Sequence, residues 1–156
     1  MPKRSAGLLM YRRRENRLEV LLAHPGGPFW AKKDLAAWSI PKGEYDSDED
    51  SLLAARREFE EETGLTPEGG FLALGEVKQA GGKVVTAWGL EGDCDSSRLK
   101  SNMFSMEWPP RSGRMKEFPE VDKWEWFSLD EAEKRILAGQ KPFLHRLAEL
   151  TSNRNI

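Results

Sequence analysis

Apolar and polar positions change period several times along this chain, and each change marks an element. Ser5 to Arg13 reads as a first strand and Leu18 to His24 as a second, with Glu15-Asn16-Arg17 as the turn between them. The second run is almost continuously apolar, which predicts a strand buried on both faces. Pro25 to Lys33 is a Gly/Pro loop holding Phe29 and Trp30, and Trp38 to Gly43 is a short extended piece. From Ser51 to Thr63 the chain contains no Gly or Pro and is rich in Ala, Leu, Arg and Glu, so it reads as helix. Leu52, Ala55 and Phe59 form its core-facing stripe. Ser47 with Asp50 three residues on fits a cap at the start, and Gly64 fits a stop.

The second half opens with a predicted hairpin, Phe71 to Gln79 and Lys83 to Glu91, turning at Ala80-Gly81-Gly82. Gly92 to Glu120 reads as mostly irregular, with Pro109, Pro110 and Gly113, and a loop of that length is functional or mobile. Lys123 to Ser128 reads as a strand, Leu129 to Ala138 as a helix and Pro142 to Thr151 as a final helix. Strands on both sides of a central helix, with more helix at the end, predict a mixed sheet sandwiched by helices, an α/β fold.

Length and composition set bounds on this picture. A chain of 156 residues suits one domain, 1–156, with a substantial core. Hydrophobic residues at 38 % and charged residues at 32 % describe an ordinary globular protein. The formal net charge of −2 gives no global attraction to nucleic acid or to an anionic membrane, so no stable nucleic-acid partner and no membrane are expected. Charge is uneven, however. Asp48 to Glu62 holds seven acidic residues against two arginines, a local −5 that leaves about +3 for the remainder. One cysteine, Cys94, excludes a disulfide framework and multi-cysteine zinc sites. No apolar run approaches transmembrane length and no signal-peptide core is present, which predicts a cytoplasmic protein.

The acidic cluster carries the chemistry. Glu58, Glu61 and Glu62 stand at i, i+3 and i+4, which puts their carboxylates on one helical face. Such crowding destabilises a bare helix and becomes favourable when hard divalent cations such as Mg²⁺ or Mn²⁺ lie among the oxygens. The surrounding spacing is fixed at both ends. Gly43 is followed after five residues by Glu49, after seven more by Arg57-Glu58-Phe59, then after one residue each by Glu61-Glu62 and Gly64-Leu65. A solvated acidic helix requires none of those distances. Gly43 to Leu65 fills every fixed position of the Nudix box, and the chain resembles the Nudix hydrolases, which cleave nucleoside diphosphates linked to another group.

That resemblance implies an α/β/α sandwich and a metal-dependent pyrophosphohydrolase. Residue by residue, it makes Glu58, Glu61 and Glu62 metal ligands with the Gly43 carbonyl. Arg57 then orients the acidic side chains and Glu49 supports Arg57. A fourth carboxylate from outside the box is common in the family. Glu120 is the candidate, in a P-E-x-D-x-W-x-W segment similar to that of RNA pyrophosphohydrolases and dinucleoside polyphosphate hydrolases. Glu107 and Glu117 are rivals in the same loop. The expected catalytic set is Glu61, Glu62, Glu120 and Arg57, with Glu120 also a metal ligand.

Lys42, in W-x-I-P-K-G directly before the box, resembles the turn of dinucleoside polyphosphate hydrolases and is expected to meet a phosphate. RNA pyrophosphohydrolases carry glutamine there, which argues against RNA 5′ ends. Lys32, Lys33, Arg111, Arg114 and Lys116 are loop cations able to extend phosphate binding. Trp30, Trp38 and Trp108 lie nearer loops and are better placed to stack a base than Trp88, Trp124 and Trp126. His24 and His145 read as isolated.

The expected substrate is a dinucleoside polyphosphate such as diadenosine tetraphosphate. A housecleaning nucleoside triphosphate pyrophosphatase is the alternative enzyme, and a catalytically silent nucleotide-binding domain is the alternative of another class. ADP-ribose is disfavoured, since that group carries a proline downstream of the box and Phe71 to Glu91 has none. The sequence sets no oligomeric state.

Overall fold

The computed structural model describes residues 3–46 and 48–152. Its first strands, β1 (Arg4–Arg14) and β2 (Arg17–Pro25), pair antiparallel across a tight turn at Glu15 and Asn16, both with positive φ. A short strand β3 (Lys42–Glu44) pairs antiparallel with the start of β1 and leads to helix α1 (Ser51–Thr63), the span that the sequence predicts. Asp50 caps the helix, its carboxylate accepting from the Leu53 amide at 3.1 Å, and Gly64 closes it in the left-handed region. Ser47, the other half of the expected capping pattern, lies outside the described residues. Of the predicted stripe, Ala55 and Phe59 are buried and Leu52 is half-buried, while Ala54 joins the core.

Strands β4 (Phe71–Lys78) and β5 (Val84–Glu91) form the expected antiparallel hairpin, and β5 then pairs parallel with β1. A last strand, β8 (Val121–Ser128), pairs with β2. The order β4-β5-β1-β2-β8, with β3 beside β1, makes the sheet mixed, as predicted. Alternation along β1 then builds two cores. Leu8 and Met10 pack with Ala54, Ala55 and Phe59 of α1. Leu9 and Tyr11 pack on the other face with α2 (Leu129–Arg135) and α3 (Lys141–Ser152), through Ala132, Phe143 and Leu147. The sheet is therefore covered on both faces, which gives the α/β/α sandwich.

The structure departs from expectation in two places. The stretch from Gly92 to Glu120 is largely irregular, as expected, but it also holds an antiparallel pair, β6 (Met103–Glu107) and β7 (Met115–Pro119), and a short 3₁₀ turn at Ser96–Arg98. Pro109, Pro110 and Gly113 sit in the connection between the two strands, so the residues that looked like breakers are the hairpin's loop. Helix α2 stops at Arg135, short of Ala138, because Ile136 turns to ψ 150 and is fully buried beside Trp38. Burying that side chain against the sheet outweighs continuing a surface helix.

Candidate active site

The box residues meet where β3 and α1 converge. Gly43 is required there by close approach: a Cβ at that position would lie 2.1 Å from the Glu58 carboxyl carbon. Only glycine lets that carboxyl rest against the strand. Arg57 fixes it from the other side, donating to Glu58 at 3.2 Å and to Glu49 through a short ion pair. Arg57 thus links Glu49 and Glu58 in one chain of ion pairs. Glu61 is exposed on the helix.

Glu62 faces inward, into a cavity of about 130 Å³ that it shares with Lys42, Glu120, Pro25 and Val121. Three residues singled out in separate sequence segments are thereby brought together. Electrostatics report the crowding. The Glu62 carboxyl is pushed up to about 8, first by burial and then by the negative charge of Glu120 and Glu58, with Lys42 partly offsetting. Lys42 is pulled below its ordinary value, chiefly by burial and then by Lys83, against the opposing pull of Glu62 and Glu44.

Among the described residues, no group of three or more His, Cys, Asp or Glu side chains is already arranged to hold a metal ion. The chemistry of the donors nonetheless fits one. Glu58, Glu62 and Glu120 offer hard oxygens, and the cradle at Gly43 keeps the Glu58 carboxyl beside the backbone.

Other expected residues are placed elsewhere. Glu107 accepts from the Arg111 amide at 2.7 Å in the β6–β7 connection, Glu117 is exposed on β7, and neither lines the cavity. Arg111, Arg114 and Lys116 are exposed on the same hairpin, and Lys32 and Lys33 on the loop after β2. Trp38 is no stacking platform: it is only 2 % exposed and donates its indole N–H to Asp34 at 3.0 Å. Trp108 does lie near the surface, edge-on to the exposed Phe29. His24, which the sequence leaves isolated, is buried and in contact with Asp122. The one signal that could have found it is the aspartate two residues after Glu120, in a segment already marked for chemistry.

A sheet between helices, with a complete Gly43–Leu65 box at the mouth of an acidic cavity, is the scaffold of a pyrophosphate-bond hydrolase. Comparison with known proteins agrees. The family described as NUDIX domain matches residues 1–147, and the chain belongs to that family, whose hydrolases generally use divalent metals. A stretch of 50 residues is 44 % identical to an RNA pyrophosphohydrolase of Xylella fastidiosa, covering 31 % of this chain. That match spans 26 % of the relative's length. An Ap4A hydrolase of C. elegans, solved as a binary complex, superposes with a TM-score of 0.66 at 24 % identity, over 96 % of this chain and 98 % of that one. The NUDIX domain of Shewanella oneidensis NrtR, solved with ADP ribose, gives 0.64 at 17 % identity, over 97 % and 89 %. At these identities the two likenesses show the fold. No described helix is long and apolar enough to cross a membrane.

Proposed function

We propose that the chain, acting as one domain, is a Mg²⁺-dependent pyrophosphohydrolase of nucleoside polyphosphates, with a dinucleoside polyphosphate as its preferred substrate. The observation that carries this reading is the single cavity holding Lys42, Glu62 and Glu120 beside the box. A divalent cation held by Glu58, Glu61, Glu62, Glu120 and the Gly43 carbonyl would neutralise phosphate charge and acidify water. Lys42 places an ammonium against the diphosphate. Arg57 keeps Glu58 in place. Glu120 accepts a proton from the attacking water, in line with the scissile phosphorus. Mn²⁺ substitutes for Mg²⁺ in the same oxygen set.

Preference for a dinucleotide rests on the two segments flanking the box, Trp38 to Gly43 and Pro119 to Trp124, and on the cationic hairpin. Arg111, Arg114 and Lys116 on that hairpin supply charge for a longer phosphate chain. A cytoplasmic location belongs to the same reading, since nucleoside polyphosphates and Mg²⁺ occur together there.

A turnover panel with Mg²⁺ tests the reading, using dinucleoside tetra- and higher polyphosphates, nucleoside triphosphates, ADP-ribose and triphosphorylated RNA. The expected result is the highest kcat/KM on a dinucleotide, with a nucleoside triphosphate among the products. Better turnover of ATP or a damaged deoxynucleotide would replace the substrate with the housecleaning class. Binding without turnover of any member would mark a silent domain.

A further inference from the structure

Strict alternation along β8 would put Val121 on the opposite face of the sheet from Trp124. Yet Val121 packs with Trp124 and Trp126 in the core under α1. The reason lies in the register with β2. His24 pairs with Lys123, but Pro25 pairs with Val121, so Asp122 is an extra residue without a counterpart. This is a β-bulge, a device that re-aims side chains at the end of a strand. Beyond it the pairing resumes, with the Gly26 amide donating to the Glu120 carbonyl at 2.9 Å and the Glu120 amide to the Asn102 carbonyl at 2.8 Å. The bulge therefore sets which way Val121 and Glu120 face, and both line the cavity with Lys42 and Glu62.

One side chain grips the bulge. His24 is 6 % exposed and lies edge-on against Trp38, with ring centroids 5.0 Å apart. Its Nδ1 is 2.7 Å from the Asp122 carboxylate and its Nε2 is 2.5 Å from the Lys33 carbonyl. Both partners are acceptors, so a ring carrying two N–H groups donates to both and a neutral ring to one. The Lys33 contact holds the far end of the loop whose near end, Gly26, is tied to Glu120. A Cβ on Gly26 would lie 1.8 Å from the Pro119 carbonyl oxygen, so the loop and the start of β8 run in direct backbone contact.

We propose that His24 is a positioning residue for the hydrolytic site: by holding Asp122 it fixes the bulge, and through the bulge it aims Glu120 into the cavity. This rests on the proposed role of Glu120. His24 touches none of the cavity's carboxylates. Its effect travels through Asp122 and two backbone hydrogen bonds, as with partners that orient a ligand from behind.

The test uses the full chain with His24→Ala, and with Asp122→Asn as a variant that keeps side-chain volume if the first folds poorly. Three quantities are read: amide exchange at Gly26, Mn²⁺ affinity from the free-ion electron paramagnetic resonance signal, and kcat and KM on the best substrate of the panel. The expected result is faster exchange at Gly26, with Mn²⁺ affinity and kcat each down about tenfold and KM little changed. Adding either variant to Glu120→Gln should produce no further loss, because the clamp acts only through the group that Glu120→Gln removes. Wild-type Mn²⁺ affinity and kcat per folded molecule despite faster exchange at Gly26 would overturn the inference, as would losses that multiply in the double variant. Wild-type behaviour of Glu120→Gln alone would overturn it too, while leaving the pyrophosphohydrolase reading in place. No turnover by the wild type on the whole panel would sink that reading instead, and the exchange and Mn²⁺ measurements would still decide the clamp.

Discussion

Single atoms govern the candidate site. Glu62 and Gly43 are its most sensitive positions, for opposite reasons. Glu62 is one of the carboxylates proposed to hold the cation, so Glu62→Gln should lower kcat by about 10²-fold or more, as losing a main electrostatic stabiliser does. Glu61→Gln should act alike. Circular dichroism should be unchanged in both, since neither side chain is part of either hydrophobic core. Near-normal turnover in both variants would move the site elsewhere. Gly43→Ala makes a different case. The added methyl would enter the space of the Glu58 carboxyl, which sits at the end of a flexible side chain and can swing away. The helix should form normally while Mn²⁺ affinity drops. A Mn²⁺ titration equal to wild type would show that the cradle is not needed.

At the scale of elements, α1 has two jobs on two faces. Its carboxylate face serves the cavity, and its apolar face anchors it to the sheet through Ala54, Ala55 and Phe59. Phe59 is fully buried, so Phe59→Ala should cost about 3–5 kcal/mol in chemical denaturation. Turnover of the fraction that stays folded should remain near wild type, the reverse of the Glu62 variant. A loss below about 1 kcal/mol would mean that the helix is held by something other than this packing.

For the whole molecule, stability and metal binding are linked through charge. Burial and neighbouring carboxylates raise Glu62 from its ordinary 4.5 to about 8. Between those values the unfolded chain has released a proton that the folded chain still holds. The metal-free fold is therefore stabilised fully below pH 4.5 and loses that contribution as pH rises towards 8. Asp34 and Asp93, both held below the usual 3.8, the first by the Trp38 N–H and the second by Arg12, act only at lower pH. Melting with EDTA between pH 5 and 8 thus covers the Glu62 window and avoids those aspartates, and the Glu62→Gln variant run alongside isolates its share. Tm should fall across the range, and saturating Mg²⁺ should flatten the fall by stabilising the ionised carboxylates and binding only the folded state. A Tm that rises with pH in EDTA would contradict the assignment.

What the sequence determined by itself is what depends on local order. The span of α1 follows from composition and from the flanking Asp50 and Gly64, and the strands follow from alternation. The acidic face of the box follows from helical spacing, and a gapped motif of set distances carries the family. What only the tertiary structure decided depends on contacts between distant segments. The P-E-x-D-x-W-x-W segment already favours Glu120 over Glu107 and Glu117, but only the pairing of β8 with β2 puts Glu120, and neither rival, in one cavity with Lys42 and Glu62. Trp38 moves from stacking candidate to core because Ile136, nearly a hundred residues on, packs against it and ends α2 early. His24 looks isolated along the chain and becomes the partner of Asp122 only when β2 and β8 pair with one residue to spare. A bulge leaves no mark in hydrophobic periodicity, because it is a mismatch between two strands and belongs to neither one alone.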